Sequence, residues 1–356
     1  MDFKPFVNFA DDGNKVREEA VEGVFNNSRE WEAVKDGFLS WARGYEGKKM
    51  NFDRMNKETG ELEAFSWDLQ HSYTENYARK YYAKMKLFER VVSRKWESVG
   101  TCMITLTGTN TPENEFMAPA EHLHELNESY KRVIKRIRYN MNKVSDHWEY
   151  MVVVEPHKSG YAHFHLILAV DLGDKHFEDS DLMSVGKMAL NNHVRNCRLA
   201  SKEAHDVHAG STLSIRTDEI DGVGDYLAEY MAKFFVEDED ENCDDIYLER
   251  IPEYLQRFYA LVWATGTRRI RFSQGANRMI KEQWRKEKIE RGENVDQGQN
   301  EIFDWVNGVI IDEDEEVVGH VNPEDGGSSP NFVTVGERDH KKDAESADCS
   351  GENASD

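Results

Sequence analysis

The period of hydrophobic and polar positions changes near residue 98. Before that point, residues 14–48 and 71–97 carry apolar side chains at three- and four-residue steps. YARKYYAKMKLFERVVSRKW is the clearest case, and the spacing predicts helices. Between them, MNFDRMNKETGELEAF sets a Thr-Gly turn between two short alternating stretches, which predicts a small hairpin.

From residue 98 the pattern predicts strands joined by helices. SVGTCMITLTGT (98–109) is β-branched and apolar, a strand, and 119–143 follows as a helix with a basic C-terminal half. EYMVVVEP (149–156) and AHFHLILAV (162–170) are strongly apolar strands, and the short link containing Gly160 predicts that they form a β-hairpin. A helix over 179–197, an alternating strand over 211–219 and a helix over 225–235 complete the series. The order β-α-β-β-α-β-α implies an α+β domain, an antiparallel sheet with helices on one or both faces.

Composition narrows the class. No apolar run approaches the roughly 20 residues that span a bilayer, and the first residues mix charges with no apolar core of a secretory signal. The four cysteines (Cys102, Cys197, Cys243, Cys349) stand singly, which fits a reducing cytoplasm better than a disulfide frame or a Cys-based zinc site.

A formal charge of −23 at first argues against a nucleic-acid partner. The charge is unevenly spread, however. Residues 299–356 hold 16 acidic and 3 basic residues, and little apolar content outside 301–311, so they are expected to form a disordered acidic tail. Two basic islands stand elsewhere: 131–143 has six Lys/Arg and no acid, and 268–291 has nine Lys/Arg against three Glu. Each is either a solvated helix face or a polyanion site. The acidic excess also matches proteins that work in molar salt, where screening lengths fall to about 3 Å.

Two constellations carry possible chemistry. His163 and His165 lie two apart on a strand, so both rings leave the same side of the sheet. A hairpin folded over 157–161 brings Glu155 beside them. Two imidazoles and a carboxylate can hold a divalent ion with coordination positions open, although a packed histidine pair has the same pattern. His157, in the turn, competes as third ligand. On the 225–235 helix, Tyr226, Tyr230 and Lys233 share one face. They read either as an aromatic stripe with a snorkelling lysine or as a nucleophile with its activating cation.

In order along the chain stand a strand ending Thr105-Leu106-Thr107, then His163-Phe164-His165, then Tyr226-x-x-x-Tyr230-x-x-Lys233. This resembles the three-motif signature of rolling-circle replication initiators (Rep proteins) of the HUH endonuclease superfamily, over roughly residues 98–275. With the acidic composition, the resemblance points to a plasmid or virus of a halophilic archaeon. It implies a ferredoxin-like antiparallel sheet with flanking helices, and a Mg or Mn ion held by His163 and His165 with Glu155. It also implies Tyr230 as the nucleophile that keeps a 5′-phosphate, with Lys233 beside it and Tyr226 as a second tyrosine. The expected organisation is a mostly helical extension (1–97), a nuclease domain ending in a basic helix (98–291) and the acidic tail (292–356).

The expected activity is nicking and rejoining of single-stranded or hairpin origin DNA, with host helicase and polymerase as expected partners; no Walker A motif is present, so any helicase comes from the host or a separate protein. Lys131, Arg132, Lys135, Arg136, Arg138, Arg268, Arg269 and Arg271 are the expected DNA-backbone contacts. A transposase of the same chemistry and a noncatalytic DNA-binding regulator are the alternatives. A histidine-triad nucleotide hydrolase is excluded by Ile167, where a third histidine would stand.

Overall fold

A computed structural model describes residues 30–45, 48–56, 59–68, 71–112, 115–173, 179–205, 213–216, 247–291, 303–311 and 317–321. In chain order its elements begin with α1 (Glu30–Arg43), β1 (Lys49–Asn56), β2 (Leu62–Asp68), α2 (Glu75–Lys95) and β3 (Val99–Leu106). They continue with α3 (Pro119–Val144), β4 (Trp148–Pro156), β5 (Ala162–Asp171), α4 (Asp179–Asn196) and β6 (Leu213–Arg216). Last come α5 (Tyr247–Arg250), α6 (Glu253–Ala264), β7 (Ile270–Phe272), α7 (Gln274–Glu290), β8 (Phe303–Ile311) and β9 (Val317–Val321). They fall into two units.

The larger unit, 14–43 with 71–297, is α+β. Its five-stranded antiparallel sheet has the order β6-β3-β5-β4-β7. The central strand β5 is buried from Ala162 to Val170, which explains why AHFHLILAV is apolar nearly throughout instead of alternating. The β4–β5 hairpin closes through His157 N–H to Tyr161 O (2.7 Å) and Gly160 N–H to His157 O (2.8 Å). Gly160 sits at φ 85°, a backbone region that side-chain-bearing residues rarely adopt.

Helix α3 begins with Pro119 in its first turn and buries Leu123, Leu126, Val133, Ile137 and Met141 along one stripe. From that stripe Tyr130 stacks on Phe164 of β5, with centroids 5.6 Å apart. Phe164 alternates with His163 and His165, so α3 covers the face of the sheet opposite the two histidines. Thr74 caps α2 by accepting from Tyr77 N–H (3.2 Å), and Ser273 caps α7 by accepting from Ala276 N–H (3.3 Å).

The smaller unit is a four-stranded antiparallel sheet of order β2-β1-β8-β9. The β1–β2 hairpin forms as the Thr-Gly turn predicts, with pairing from Lys49↔Asp68 to Met55↔Leu62. Two boundaries differ from expectation. The described part of 1–97, expected as a mostly helical extension, is divided between the units: α1 and α2 belong to the larger, β1 and β2 to the smaller. Within the expected disordered tail, β8 pairs with β1 from Lys49↔Ile311 to Asn56↔Phe303, and β9 pairs with β8. The apolar run 303–311 gains its hydrogen-bonding partner about 250 residues upstream, a pairing that local composition does not register. Residues 322–356 lie outside the described residues. Among the described residues, no helix is long and apolar enough to cross a membrane.

Candidate metal centre

Three adjacent strand ends build the site. Register places Glu155 of β4 opposite His163 of β5, and Thr105 of β3 opposite His165. Directly opposed residues in an antiparallel pair share a face, so the four side chains converge on one side of the sheet. His163 Nε2 and His165 Nε2 are 2.9 Å apart. Glu155 Oε2 lies 3.4 Å from His165 Nε2 and 3.8 Å from His163 Nε2.

The group is enclosed: Glu155 is 1% exposed, His165 4% and His163 9%. Among the described residues neither oxygen of Glu155 accepts a hydrogen bond. A carboxylate taken out of water without such partners is costly, and a cation balances it best. The spacing fits that ion. Two nitrogens each at ~2.1 Å from one metal lie roughly 3.0–3.4 Å apart for right-angled or tetrahedral geometry. Glu155, His163 and His165 therefore form a group able to hold a metal ion.

A second ring of contacts orients the ligands. Thr105 Oγ1 is 3.1 Å from His165 Nδ1, which turns Nε2 toward the centre. Thr107 Oγ1 is 3.0 Å from His157 Nε2, and the His157 ring lies over His163 with centroids 4.3 Å apart. His157 is thus held beside the cluster and outside the convergent group. Burial, reinforced by His165, lowers its pKa, while Glu155 opposes the shift. The two threonines of the Thr-Leu-Thr motif are the residues that position these rings.

The sequence reading missed a further set. Three buried histidines clamp the chain that leaves β3. His193 Nδ1 meets Ser129 Oγ (2.6 Å) and its Nε2 meets Thr107 O (2.9 Å). His122 Nε2 lies 3.2 Å from Gly108 O, and Thr107 N–H points to His205 Nε2 at 3.4 Å. Burial pushes the pKa of both His122 and His193 down to about 4 and lowers that of His205. The clamped segment borders a cleft of about 580 Å³ lined by Thr107, Asn110, His157, Lys158, Tyr161 and Ser201 among others.

The remaining expected site residues divide. Tyr226, Tyr230 and Lys233 lie outside the described residues. Lys131, Arg132, Lys135, Arg136 and Arg138 are exposed on α3, with Lys131 paired to Glu128 and Arg132 bonded to Asn196 O. Arg268 is exposed. Arg269 is not on the surface: it is buried, its guanidinium 4.5 Å from the Tyr259 ring centre and 5.2 Å from that of Tyr73, donating to Ser72 O. This arginine is part of the core, where Tyr259 of α6 and Tyr73 in the turn before α2 supply aromatic faces that a charge count cannot reveal. Arg271 is half-buried, donating to Asn127 Oδ1 at 2.9 Å.

A family profile described as "Putative rep protein (DUF1424)" matches residues 9–317. The chain belongs to this rep family. It is 31% identical over 289 residues to an uncharacterized 36 kDa protein of Halobacterium salinarum, covering 76% of this chain and 83% of that one. A second uncharacterized 36 kDa protein, from Halobacterium sp. (strain GN101), is 28% identical over 308 residues, covering 80% of this chain and 87% of that relative. No solved structure matches the chain. The matched region takes in β1 to β8, and so the Glu155–His163–His165 cluster of this chain.

Proposed function

We propose that this rep family protein initiates replication of a haloarchaeal plasmid or virus by nicking and rejoining single-stranded origin DNA through a phosphotyrosine intermediate. The observation that carries the reading is the buried Glu155–His163–His165 cluster, whose carboxylate accepts no hydrogen bond among the described residues, on the central strands of an antiparallel sheet. The β6-β3-β5-β4 order is that of a β-α-β-β-α-β split unit, which supports a ferredoxin-like HUH core. The Halobacterium source of both relatives supports the salt-loving habitat.

Glu155, His163 and His165 would hold a divalent ion, and two imidazoles favour Mn over Mg, which prefers oxygen donors. Such an ion supplies charge withdrawal from the nonbridging oxygens of the scissile phosphate. In the proposed step the Tyr230 phenol oxygen attacks phosphorus, its proton leaves to solvent, the bond to the 3′-oxygen breaks, and that oxygen takes a proton from solvent. The products are a 5′-phosphate ester on Tyr230 and a free 3′-OH that primes synthesis. Lys233 favours the phenolate. In closure a 3′-OH attacks the phosphotyrosine, forms the new phosphodiester and releases the Tyr230 phenol; Tyr226 makes the second cut that frees that 3′-OH. The cleft beside His157 offers room for a nucleotide next to the scissile bond.

The test is incubation of the full chain with single-stranded origin DNA of its replicon and Mn, followed by a denaturing gel. A covalent protein–DNA band is expected, lost in Glu155→Gln and in Tyr230→Phe with Tyr226→Phe. DNA binding without any adduct would turn the reading to a noncatalytic regulator.

A further inference from the structure

The exposed side of α3 departs from the rest of this chain in two ways. From Ser129 to Val144 it carries Lys131, Arg132, Lys135, Arg136, Arg138 and Lys143 with no acid, within a protein of net charge −23. In the same stretch stands a large aromatic side chain at the surface, Tyr139, 57% exposed. Lys143 Nζ lies 3.8 Å from the centre of its ring and the Arg136 guanidinium 5.7 Å. Among the described residues Lys135, Arg136, Arg138 and Lys143 form no ion pair.

Position separates this face from the metal centre. The N-terminal end of α3 is at the centre's end of the sheet, where His122 reaches Gly108 O. Tyr139 is 17 residues farther along the helix, roughly 25 Å at 1.5 Å per residue. The stacking of Tyr130 on Phe164 also puts α3 on the sheet face away from His163 and His165. A phosphate bound near Tyr139 is therefore a different phosphate from any at Glu155.

We propose that the C-terminal half of α3 is a second DNA contact, an exosite that grips single-stranded DNA flanking the nick. Tyr139 is its base-stacking platform, and Lys135, Arg136, Arg138 and Lys143 contact the phosphates. Charge complementarity selects a polyanion. An exposed aromatic ring ringed by cations selects unpaired bases over duplex, because only unstacked bases offer a free π-face. The arrangement also suits salt: phosphate contacts weaken as counterion release fades, while stacking does not depend on it. The choice of DNA rests on the proposed function, but the exosite makes its own prediction.

The experiment measures fluorescence anisotropy of a labelled 40-nucleotide single strand and the matching duplex with full-length protein in EDTA, which keeps cleavage out of the readout. Tyr139→Ala is expected to weaken single-strand binding roughly tenfold, as one lost stacked base would. The slope of log affinity against log salt should stay unchanged and duplex binding nearly so. Lys135→Gln with Arg136→Gln and Arg138→Gln should flatten that slope by about 2 for single strands, from ~0.7 per phosphate contact. All these positions are exposed, and unchanged melting temperatures will show that the fold is intact. Wild-type affinity in both variants, or equal losses on duplex and single strand from Tyr139→Ala, overturns the exosite. A covalent adduct on a ten-nucleotide strand spanning the nick, formed equally by wild type and variants, supports it. Failure of the proposed function reads differently: α3-dependent binding with no adduct from any protein.

Discussion

At the residue scale the site turns on how each ring is aimed. His165 has two nitrogens, and its contact with Thr105 Oγ1 (3.1 Å) commits Nδ1 and leaves Nε2 for the cluster. Thr105→Val keeps the branched shape and removes that partner. Metal affinity is expected to fall 10- to 100-fold, the usual cost of losing an outer hydrogen bond, with the fold retained. Calorimetric titration with Mn reads this directly, and unchanged affinity would remove Thr105 from the positioning role. Glu155 gives a second readout. With Mn at a hundred times its Kd, wild type should gain about 2.7 kcal/mol of stability. Glu155→Gln should gain far less, measured by urea unfolding with and without the ion. His163, His165 and Glu155 were legible in the sequence because strand alternation and a five-residue hairpin link are local facts. Thr105 as a partner was not, because it depends on the β3–β5 register, which joins residues 60 apart.

At the element scale the segment leaving β3 is held by histidines from α3, α4 and the following loop. Burial keeps His122 and His193 at pKa values of about 4, below the ordinary 6.5. Above pH 6.5 both rings are neutral in folded and unfolded chains alike, and the clamp contributes fully. Between pH 6.5 and 4 the unfolded chain takes up protons that the folded chain refuses. Stability then falls by up to roughly 1.4 kcal/mol per pH unit for each ring. His193→Gln should make the decline in urea midpoint over that range shallower while lowering the midpoint at pH 7.5, where its contacts to Ser129 and Thr107 are lost. An identical slope in wild type and variant would contradict the clamp. None of this was visible in advance, because single histidines on helices carry no periodic signal. Helix α6 was missed for another reason. Its sequence, EYLQRFYALVWA, confines its polar residues Glu253, Gln256 and Arg257 to the first half and is buried from Phe258 to Ala264, so no polar stripe runs its full length. Helices α2 to α4 were legible because each keeps that stripe.

At the scale of the whole molecule, charge works on folding and on binding with opposite signs. The chain carries 68 acidic against 45 basic residues, and this excess repels itself in the compact state. Raising KCl from 0.1 M to 1 M shortens the screening length from about 10 Å to 3 Å, which relieves that repulsion. The melting temperature is expected to climb over this interval in differential scanning calorimetry. If screening is its cause, NaCl at the same ionic strength should reproduce the climb. A flat response to KCl would mean that the acidic excess does not limit stability. The same salt weakens every phosphate contact, so a DNA interface made of cations alone loses affinity where the fold is most stable. The basic face of α3 adds Tyr139, a contact that screening leaves intact. The ratio of wild-type to Tyr139→Ala affinity should therefore persist at 1 M KCl, whereas the ratio of wild type to the Lys135/Arg136/Arg138 variant shrinks toward one. Measuring both ratios across the salt series shows which force holds DNA under the conditions in which this acidic chain folds best.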